Sequence, residues 1–214
     1  MPMQYLFDKS PATINSKIDS DLIRGQLLTP LTNYKIWDGE YGIDNGAYSG
    51  FDSDAFQRLL KRARPHVDRC LFVTVPDIVG NARRTLELWK HRHEFIPPRW
   101  KYALVAQDGI EDLDIPWSEL DVLFIGGMDP WKHSRAADDV IRTSLTLGKP
   151  VHVGRVNTPK RFKRFDELGC ATCDGTGASI FSDEMLGKIE IEMNRSDPTL
   201  FVEMEMETLS KDLT

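Results

Sequence analysis

One stretch decides the fold: Gly169-Cys170-Ala171-Thr172-Cys173-Asp174-Gly175-Thr176-Gly177. It begins with small residues that suit a short strand and ends in an aspartate followed by Gly-Thr-Gly. Glycine permits positive φ and leaves space beside a neighbouring carboxylate, so a strand does not continue comfortably beyond Asp174. We therefore predict that a strand ends here and that the Asp174 carboxyl faces a pocket.

Five other apolar runs of the chain end in the same way, in polar residues or glycine. In order, they lead to Asp44-Asn45-Gly46, Pro76-Asp77, Gln107-Asp108-Gly109, Gly126-Gly127 and Gly154-Arg155-Val156-Asn157. One such ending is ordinary strand-to-loop punctuation. In a barrel of parallel strands, however, the carboxyl ends of all strands meet at one rim, where catalytic groups lie. Six such endings, which include Asp44, Asp77, Asp174 and the amide of Gln107, predict one site at that rim.

The segments between these runs have helical spacing and helix caps. Asp52 or Ser53 precedes an amphipathic segment, and Thr158-Pro159 begins another that Gly169 ends. Further helices are expected over 81–93 and 135–147. Alternating strands and helices favour a parallel sheet with right-handed crossovers. The predicted fold is α/β, a compact (β/α)8 TIM-like barrel that need not be complete, because 214 residues is near the lower limit for this fold.

The remaining segments are less regular. Residues 4–7 predict a first strand, 18–28 a weak helix and 30–42 a loop. Residues 189–193 and 200–206 alternate like strands, within an acidic segment over 189–214. We interpret residues 1–214 as one catalytic domain whose acidic tail covers an edge of the barrel.

Composition limits the classes of function. The hydrophobic content of 41% and charged content of 28% are typical of a soluble protein, and the N-terminus has no signal-peptide pattern, so a cytoplasmic protein is expected. Cys170 and Cys173 look like half of a zinc site, but no second Cys/His pair follows, so we expect no metal and no other cofactor. The net charge of −6 argues against indiscriminate nucleic-acid binding. A local basic patch is nevertheless present: Arg155, Lys160, Arg161, Lys163 and Arg164.

Taken together in order, the strand-end segments resemble the tRNA-guanine transglycosylase superfamily, in particular its short DpdA-like branch of deazapurine DNA modification proteins. The matching segments are Ile43-Asp44-Asn45-Gly46-Ala47-Tyr48, Val75-Pro76-Asp77, Val105-Ala106-Gln107-Asp108-Gly109, Phe124-Ile125-Gly126-Gly127 with Trp131-Lys132, His152-Val153-Gly154-Arg155-Val156-Asn157 and Cys173-Asp174-Gly175-Thr176. The sequence departs from the tRNA enzymes in lacking their C-terminal zinc site of three cysteines and a histidine. DNA is therefore the expected polymer.

The resemblance implies exchange of a purine-type base at an N-glycosidic bond. Asp174 then corresponds to the nucleophile that attacks C1′, and Asp44 to the acid/base that handles the proton of the base. The implied base-binding groups are Asp77, Gln107, Gly126, Gly127, Asn45 and Tyr48. The implied DNA-binding residues are Trp131, Lys132, Arg155, Asn157, Lys160, Arg161, Lys163 and Arg164. The implied partners are DNA and, for exchange, a free deazapurine base.

Elementary chemistry agrees with this assignment. Glycosidic cleavage needs one carboxylate to stabilise a cationic sugar and a second carboxyl, with a raised pKa, to protonate the leaving base. A flipped-out base would also need an aromatic platform, which Tyr48 or Trp131 could provide. These residues have structural alternatives: Asp44 could form a turn, Asp77 could cap a helix, the aromatics could pack at the surface, and the basic run could be a solvated face.

Two functions besides base exchange remain open at this level. A DNA glycosylase would use the same acids to excise a base, for example a hypermodified phage base in antiviral defence, and leave an abasic site. The third possibility is a non-catalytic nucleic-acid-binding barrel, which the acidic composition and three rim aspartates disfavour. His152, between two valines on a strand, is expected to be a core histidine rather than an acid/base.

Overall fold

The computed structural model describes residues 2–177 and 182–194, and in these ranges eight parallel strands form a closed barrel. The strands are β1 (Gln4–Phe7), β2 (Ile23–Leu28), β3 (Tyr41–Ile43), β4 (Cys70–Thr74), β5 (Tyr102–Ala106), β6 (Val122–Ile125), β7 (Val151–Val153) and β8 (Thr172–Cys173). Each strand pairs with the next, and β8 pairs with β1. The predicted (β/α)8 fold is confirmed, and the ring of strands is complete.

Helices follow the strands around the outside. Within the described ranges they are α1 (Pro11–Asn15), α2 (Ser53–Ala63), α3 (Ala82–Lys90), α4 (Arg92–Phe95), α5 (Asp129–Lys132), α6 (Arg135–Thr146), α7 (Pro159–Glu167) and α8 (Ser182–Met193). Five of them begin at a side chain that accepts a hydrogen bond from the third helical N–H: Ser10, Asp52, Asn81, Ser134 and Thr158. None of the described helices combines the length and apolar character that crossing a membrane requires.

The barrel interior is filled by side chains that alternate along the strands. Leu6, Leu27, Phe72, Val105 and Phe124 form an inner apolar cluster, separate from the larger core between strands and helices. This packing matches the layered interior of such barrels. It forms an apolar floor beneath the carboxyl ends of the strands.

Two secondary-structure predictions are wrong. Residues 23–28 form β2 and not part of a helix, and the buried amide of Gln26 is satisfied there by Lys9 O, Lys35 O and the N–H of Trp37. Residues 189–193 lie in α8 and not in a strand, since Ile189 is buried while Ile191 is 65% exposed. The predicted strand over 200–206 lies outside the described residues.

Smaller differences occur elsewhere. The loop expected over 30–42 ends before Tyr41, where β3 begins. Because the barrel closes on itself, it leaves no strand edge for the tail to cover, and the described part of the tail, α8, packs against α7.

Candidate active site

A cavity of about 470 Å³ opens at the carboxyl ends of the strands. All eight strand ends contribute to its lining, which is Leu6, Asp8, Lys9, Leu27, Thr29, Tyr34, Asp44, Ala47, Tyr48, Asp77, Val79, Val105, Gln107, Phe124, Gly126, Gly154, Arg155, Asp174, Gly175 and Thr176. The predicted residues Asp44, Asp77, Gln107, Gly126 and Asp174 are therefore brought together. Gly127 lies beside this group but outside the lining.

Asp174 follows β8 directly, and its side chain is 15% exposed. The backbone N–H of Arg155 donates to Oδ1 over 3.0 Å, and His152 Nε2 lies 3.1 Å from Oδ2. Both carboxylate oxygens are therefore held in place by the neighbouring strand β7 and its loop. The remaining lone pairs stay available to a ligand in the cavity.

His152 is a neighbour of Asp174 that the sequence did not reveal. It is fully buried on β7, with its ring between Phe72 and Phe124 at centroid distances of 4.8 and 4.7 Å. The expected core position is correct, but Nδ1 lies 2.8 Å from the Thr172 hydroxyl and Nε2 faces Asp174. A neutral ring satisfies both contacts if the hydroxyl donates to Nδ1 and Nε2–H donates to the carboxylate. The ring thus fixes the orientation of Asp174.

Asp44 follows β3, which is three strands from β8 around the barrel. The pKa of this carboxyl is raised from 3.8 to about 7, chiefly by burial and also by the charges of Asp174 and Asp77, while the N–H of Gly46 donates to it and opposes the shift. A carboxyl with a pKa near neutrality can both give and take a proton. Asp44 therefore has the properties of an acid/base group.

Asp77 lies deeper and is held by two side-chain amides. Asn45 Nδ2 donates to Oδ1 over 2.8 Å, and Gln107 Nε2 donates to Oδ2 over 2.7 Å. Burial raises the pKa of Asp77 in spite of these two donors. Gln107 also accepts from the N–H of Gly80. Asp77 and Gln107 present a pre-oriented polar edge to the cavity.

Asn45 does not fit the predicted base-binding role. It is 1% exposed, and its amide group donates to Val75 O and Asp77 and accepts from the N–H of Ala47. Because these contacts use both amide hydrogens and the amide oxygen, Asn45 positions Asp77 and the loop after β3. It is absent from the cavity lining.

The backbone of Gly126 and Gly127 is also engaged. Both N–H groups donate to Ala106 O, and both carbonyls accept from the Arg155 guanidinium, at 2.6 and 2.7 Å. A Cβ at Gly126 would lie 2.5 Å from a Val105 methyl, so glycine is required there for packing. The backbone groups of both glycines are thus engaged within the protein, although Gly126 lines the cavity, and their role in base binding stays a prediction.

Tyr48 and Arg155 meet at the mouth of the cavity. The guanidinium carbon of Arg155 lies 4.4 Å from the Tyr48 ring centroid, and Tyr48 is 66% exposed. Arg155 has φ of 62°, and it is the one non-glycine residue of the described ranges with positive φ. An exposed aromatic ring with one face covered by arginine leaves the other face open for stacking.

Asp8 is a fourth carboxyl at the cavity, and no site role was predicted for it from the sequence. It follows β1 and accepts a hydrogen bond from the Thr32 hydroxyl over 2.9 Å. Burial raises its pKa, and the nearby charge of Asp174 acts in the same direction. The sequence signal at Asp8 is the same as at the other aspartates: an apolar strand that ends directly before an acidic residue.

Trp131 and Lys132 do not form the predicted DNA-binding surface. Trp131 is 8% exposed and donates from Nε1 to Glu111, while Lys132 is 1% exposed and donates to Gly154 O. Both face inward because α5 packs against the barrel end. A nucleic acid cannot reach either residue without rearrangement of this loop.

The basic helix α7 is less exposed than predicted. Lys160 is exposed, whereas Arg161 pairs with Asp129 and Arg164 pairs with Asp138, both at 2.6 Å. Lys163 is half-buried and donates to Glu192 O. Asn157 accepts from the N–H of Gly177, which ties the loops after β7 and β8 together. The DNA-binding role of these residues stays a prediction, and Lys160 is its most accessible member.

The glycines after Asp174 serve packing. A Cβ at Gly175 would overlap Val156 O and lie 2.8 Å from Asn157 Oδ1, and one at Gly177 would lie 2.9 Å from a Met185 methyl. Protein atoms therefore occupy the space that a side chain at either position would need, while the Gly175 backbone lines the cavity. The carboxylate is approached from the cavity instead.

Cys170 and Cys173 are buried free thiols whose pKa values burial raises, to about 12 for Cys170. Within residues 2–177 and 182–194, no group of three or more His, Cys, Asp or Glu side chains is arranged to hold a metal ion.

No protein-family model and no curated protein matches the chain.

Proposed function

We propose that the protein is an enzyme of the N-glycosidic bond in DNA that exchanges a nucleobase for a 7-deazaguanine-type base. The observation that carries this proposal is the shared cavity of Asp44 and Asp174. One carboxyl has a pKa near neutrality, and the other is held by two hydrogen-bonding groups. Two carboxyls with different environments are the arrangement that glycosidic chemistry uses.

In the first step, Asp174 attacks C1′ and the bond between C1′ and the base nitrogen breaks. The bonding electrons pass to the base, which takes a proton from Asp44, and an ester between Asp174 and the sugar remains. In the second step, the ionised Asp44 takes the N–H proton of the incoming base, whose nitrogen attacks C1′. The Asp174 carboxylate is thereby released and Asp44 is protonated again.

Recognition of the base is assigned to the polar edge formed by Asp77 and Gln107. Their mutual hydrogen bond fixes both groups, which favours a base that presents donors and acceptors on one edge. The apolar floor of Leu6, Val105 and Phe124 suits a flat ring. The exposed face of Tyr48 can stack on a flipped-out or flanking base.

DNA as the polymer rests on the resemblance of the strand-end segments and on the basic groups near the cavity. Lys9 and Arg155 line the cavity itself, and Lys160 is exposed on α7. These groups offer few phosphate contacts, which fits a protein of net charge −6 that binds DNA weakly outside its target nucleotide.

Hydrolytic excision is the second candidate, and Asp8 is the observation that favours it. This carboxyl lines the cavity, and its raised pKa and free lone pairs suit a base that activates water. Asp77 is less suited, since both of its oxygens already accept from amides. Hydrolysis would leave an abasic site where exchange leaves a new base.

One experiment separates these functions. Genomic DNAs with ordinary and hypermodified bases are incubated with the enzyme, with and without free 7-deazaguanine, and analysed by nucleoside mass spectrometry and an abasic-site assay. Exchange predicts a new deazanucleoside only when the free base is added, and excision predicts abasic sites without it. The isosteric Asp174→Asn variant is the matched control. DNA unchanged by the wild type across the panel would support a non-catalytic barrel.

A further inference from the structure

A buried lysine lies behind the candidate nucleophile and outside the cavity. Lys132 is 1% exposed at the end of α5, and its one hydrogen-bond acceptor among the described residues is Gly154 O, 2.7 Å from Nζ. Burying an ammonium group is costly unless nearby polar groups compensate. A lysine kept in this position therefore calls for a specific partner.

That partner is reached through a single peptide group. The carbonyl that accepts from Lys132 belongs to Gly154, and the same peptide unit carries the N–H of Arg155. This N–H donates to Asp174 Oδ1 over 3.0 Å. An ammonium group, one peptide unit and a carboxylate thus form a continuous hydrogen-bonded chain.

The direction of this chain is electrostatically favourable. A peptide dipole has its negative end at the oxygen and its positive end at the N–H, so the ammonium and the carboxylate lie at the matching ends. Hydrogen bonds in such a chain polarise one another, and charged ends strengthen them. Lys132 therefore makes the Arg155 N–H a better donor to Asp174.

The backbone geometry at Gly154 and Arg155 holds this peptide group in one fixed orientation. Arg155 has φ of 62°, a conformation that costs non-glycine residues energy, and φ sets the plane of this peptide relative to the rest of Arg155. A Cβ at Gly154 would lie 2.8 Å from the Phe124 ring, so only glycine allows the peptide to lie this close to the barrel interior. The guanidinium of Arg155 holds the other side of the turn through Gly126 O and Gly127 O.

We propose that Lys132 is a positioning residue that orients and polarises the Gly154–Arg155 peptide, and through it fixes the carboxylate of Asp174 for attack. The hydrogen-bonded coupling between Lys132 and Asp174 is a property of the ligand-free protein. Only its catalytic consequence rests on the proposed function. No chemical step passes through Lys132, since it touches neither substrate nor cavity.

The protonation state of Lys132 fits this role. The pKa of the ammonium group is lowered to about 8, chiefly by burial and also by the charges of Arg155 and Arg161, while Asp174 and Asp129 oppose the shift. The neighbouring His133, whose own pKa burial lowers, also lies at this end of α5. Lys132 is therefore mostly charged at neutral pH, and the polarisation should weaken as the pH rises above about 8.

The test uses the folded, ligand-free protein and NMR spectroscopy. Lys132→Met keeps an unbranched side chain but removes the donor and the charge. We expect the Arg155 amide proton to shift upfield and its hydrogen exchange to accelerate about threefold to tenfold, the effect of weakening one hydrogen bond. The matched control Lys61→Met removes the same charge from an exposed position of α2 and should change neither signal. An unchanged Arg155 amide in folded Lys132→Met would overturn the proposal.

A second measurement serves if Lys132→Met does not fold. In the wild type, the Gly154 carbonyl carbon and the Arg155 amide nitrogen should titrate with the same midpoint as the Lys132 side chain. Asp174→Asn should lower that midpoint, because the Asp174 charge raises the pKa of Lys132. A Gly154 carbonyl chemical shift that does not change as the pH passes the Lys132 midpoint would also refute the proposed coupling through this peptide.

The two proposals fail separately. If these couplings are present but no DNA is altered, the glycosidic function is wrong and the positioning role stands. If DNA is altered and Lys132→Met retains wild-type kcat with an undisturbed Arg155 amide, the positioning role alone is wrong. A kcat loss at unchanged KM for the free base is the expected catalytic result.

Discussion

Replacing Asp44 with asparagine should make the protein more stable at alkaline pH while removing its activity. Burial at the end of β3 raises the pKa of this carboxyl from 3.8 to about 7, and the surrounding carboxylates Asp174, Asp77 and Asp8 contribute in the same direction. Asparagine has nearly the same shape and keeps an oxygen that can accept from the N–H of Gly46. It carries no charge at any pH.

The direction of this stability difference follows from the pKa values of Asp44 in the folded and the unfolded state. Since the folded-state pKa lies above the unfolded one, the contribution of Asp44 to stability is fully present below about 3.8 and is lost as the pH rises through about 7. The difference between these values corresponds to at most about 4 kcal/mol at about 1.4 kcal/mol per pKa unit, and partial solvent contact reduces it. We expect Asp44→Asn to exceed the wild type by roughly 2–4 kcal/mol at pH 8 and to equal it near pH 4.

Urea unfolding followed by circular dichroism at pH 4, 6 and 8 measures this difference. Asp54→Asn, the same substitution at an exposed position in the first turn of α2, is the control and should be neutral or slightly destabilising at all three pH values. A stability difference between Asp44→Asn and the wild type that does not change with pH would refute the assigned burial of this carboxyl.

Three further predictions concern separate parts of the site. His152→Phe should keep the aromatic packing yet lower kcat about 10- to 100-fold by removing a hydrogen bond to a charged carboxylate, and steady-state kinetics with unchanged KM for the free base would verify it. Lys160→Glu should reduce the slope of log K for DNA against log salt by about one, measured by fluorescence anisotropy, whereas an unchanged slope would exclude α7 from the interface. Gly175→Ala should lower the Tm because its Cβ would overlap a backbone oxygen, while Gly187→Ala, which meets no atom, should leave the Tm unchanged or raise it.

The sequence predicts most of the barrel because each apolar strand ends abruptly in polar residues. That pattern identified the endings of β3 to β8 and placed Asp44 and Asp174 at one rim, where the structure has them. It failed for β2, where Gln26 is a buried polar residue whose partners come from two loops. It failed again for α8, where isoleucine alternation resembles a strand although one isoleucine faces solvent.

The supporting residues could not be predicted because their roles depend on contacts between elements. The sequence alone identifies His152 as a core residue, because its contact with Asp174 forms only when β7 and β8 pair. The sequence alone identifies Lys132 as a surface cation, whereas in the structure its ammonium group is buried and donates to Gly154 O. Likewise, the atoms that would contact a side chain at Gly126 or Gly175 come from other elements, which only the packed structure specifies.

The most direct test of the central claim is to trap the ester between Asp174 and the sugar. The enzyme is denatured with acid during turnover on DNA that it modifies, and the protein is then digested and analysed by mass spectrometry. The account predicts a nucleotide adduct on the peptide that contains Asp174, present in the wild type and absent from Asp174→Asn. Turnover without any adduct under conditions where the second step is slow, or an adduct on a different residue, would contradict the assignment of Asp174 as the nucleophile.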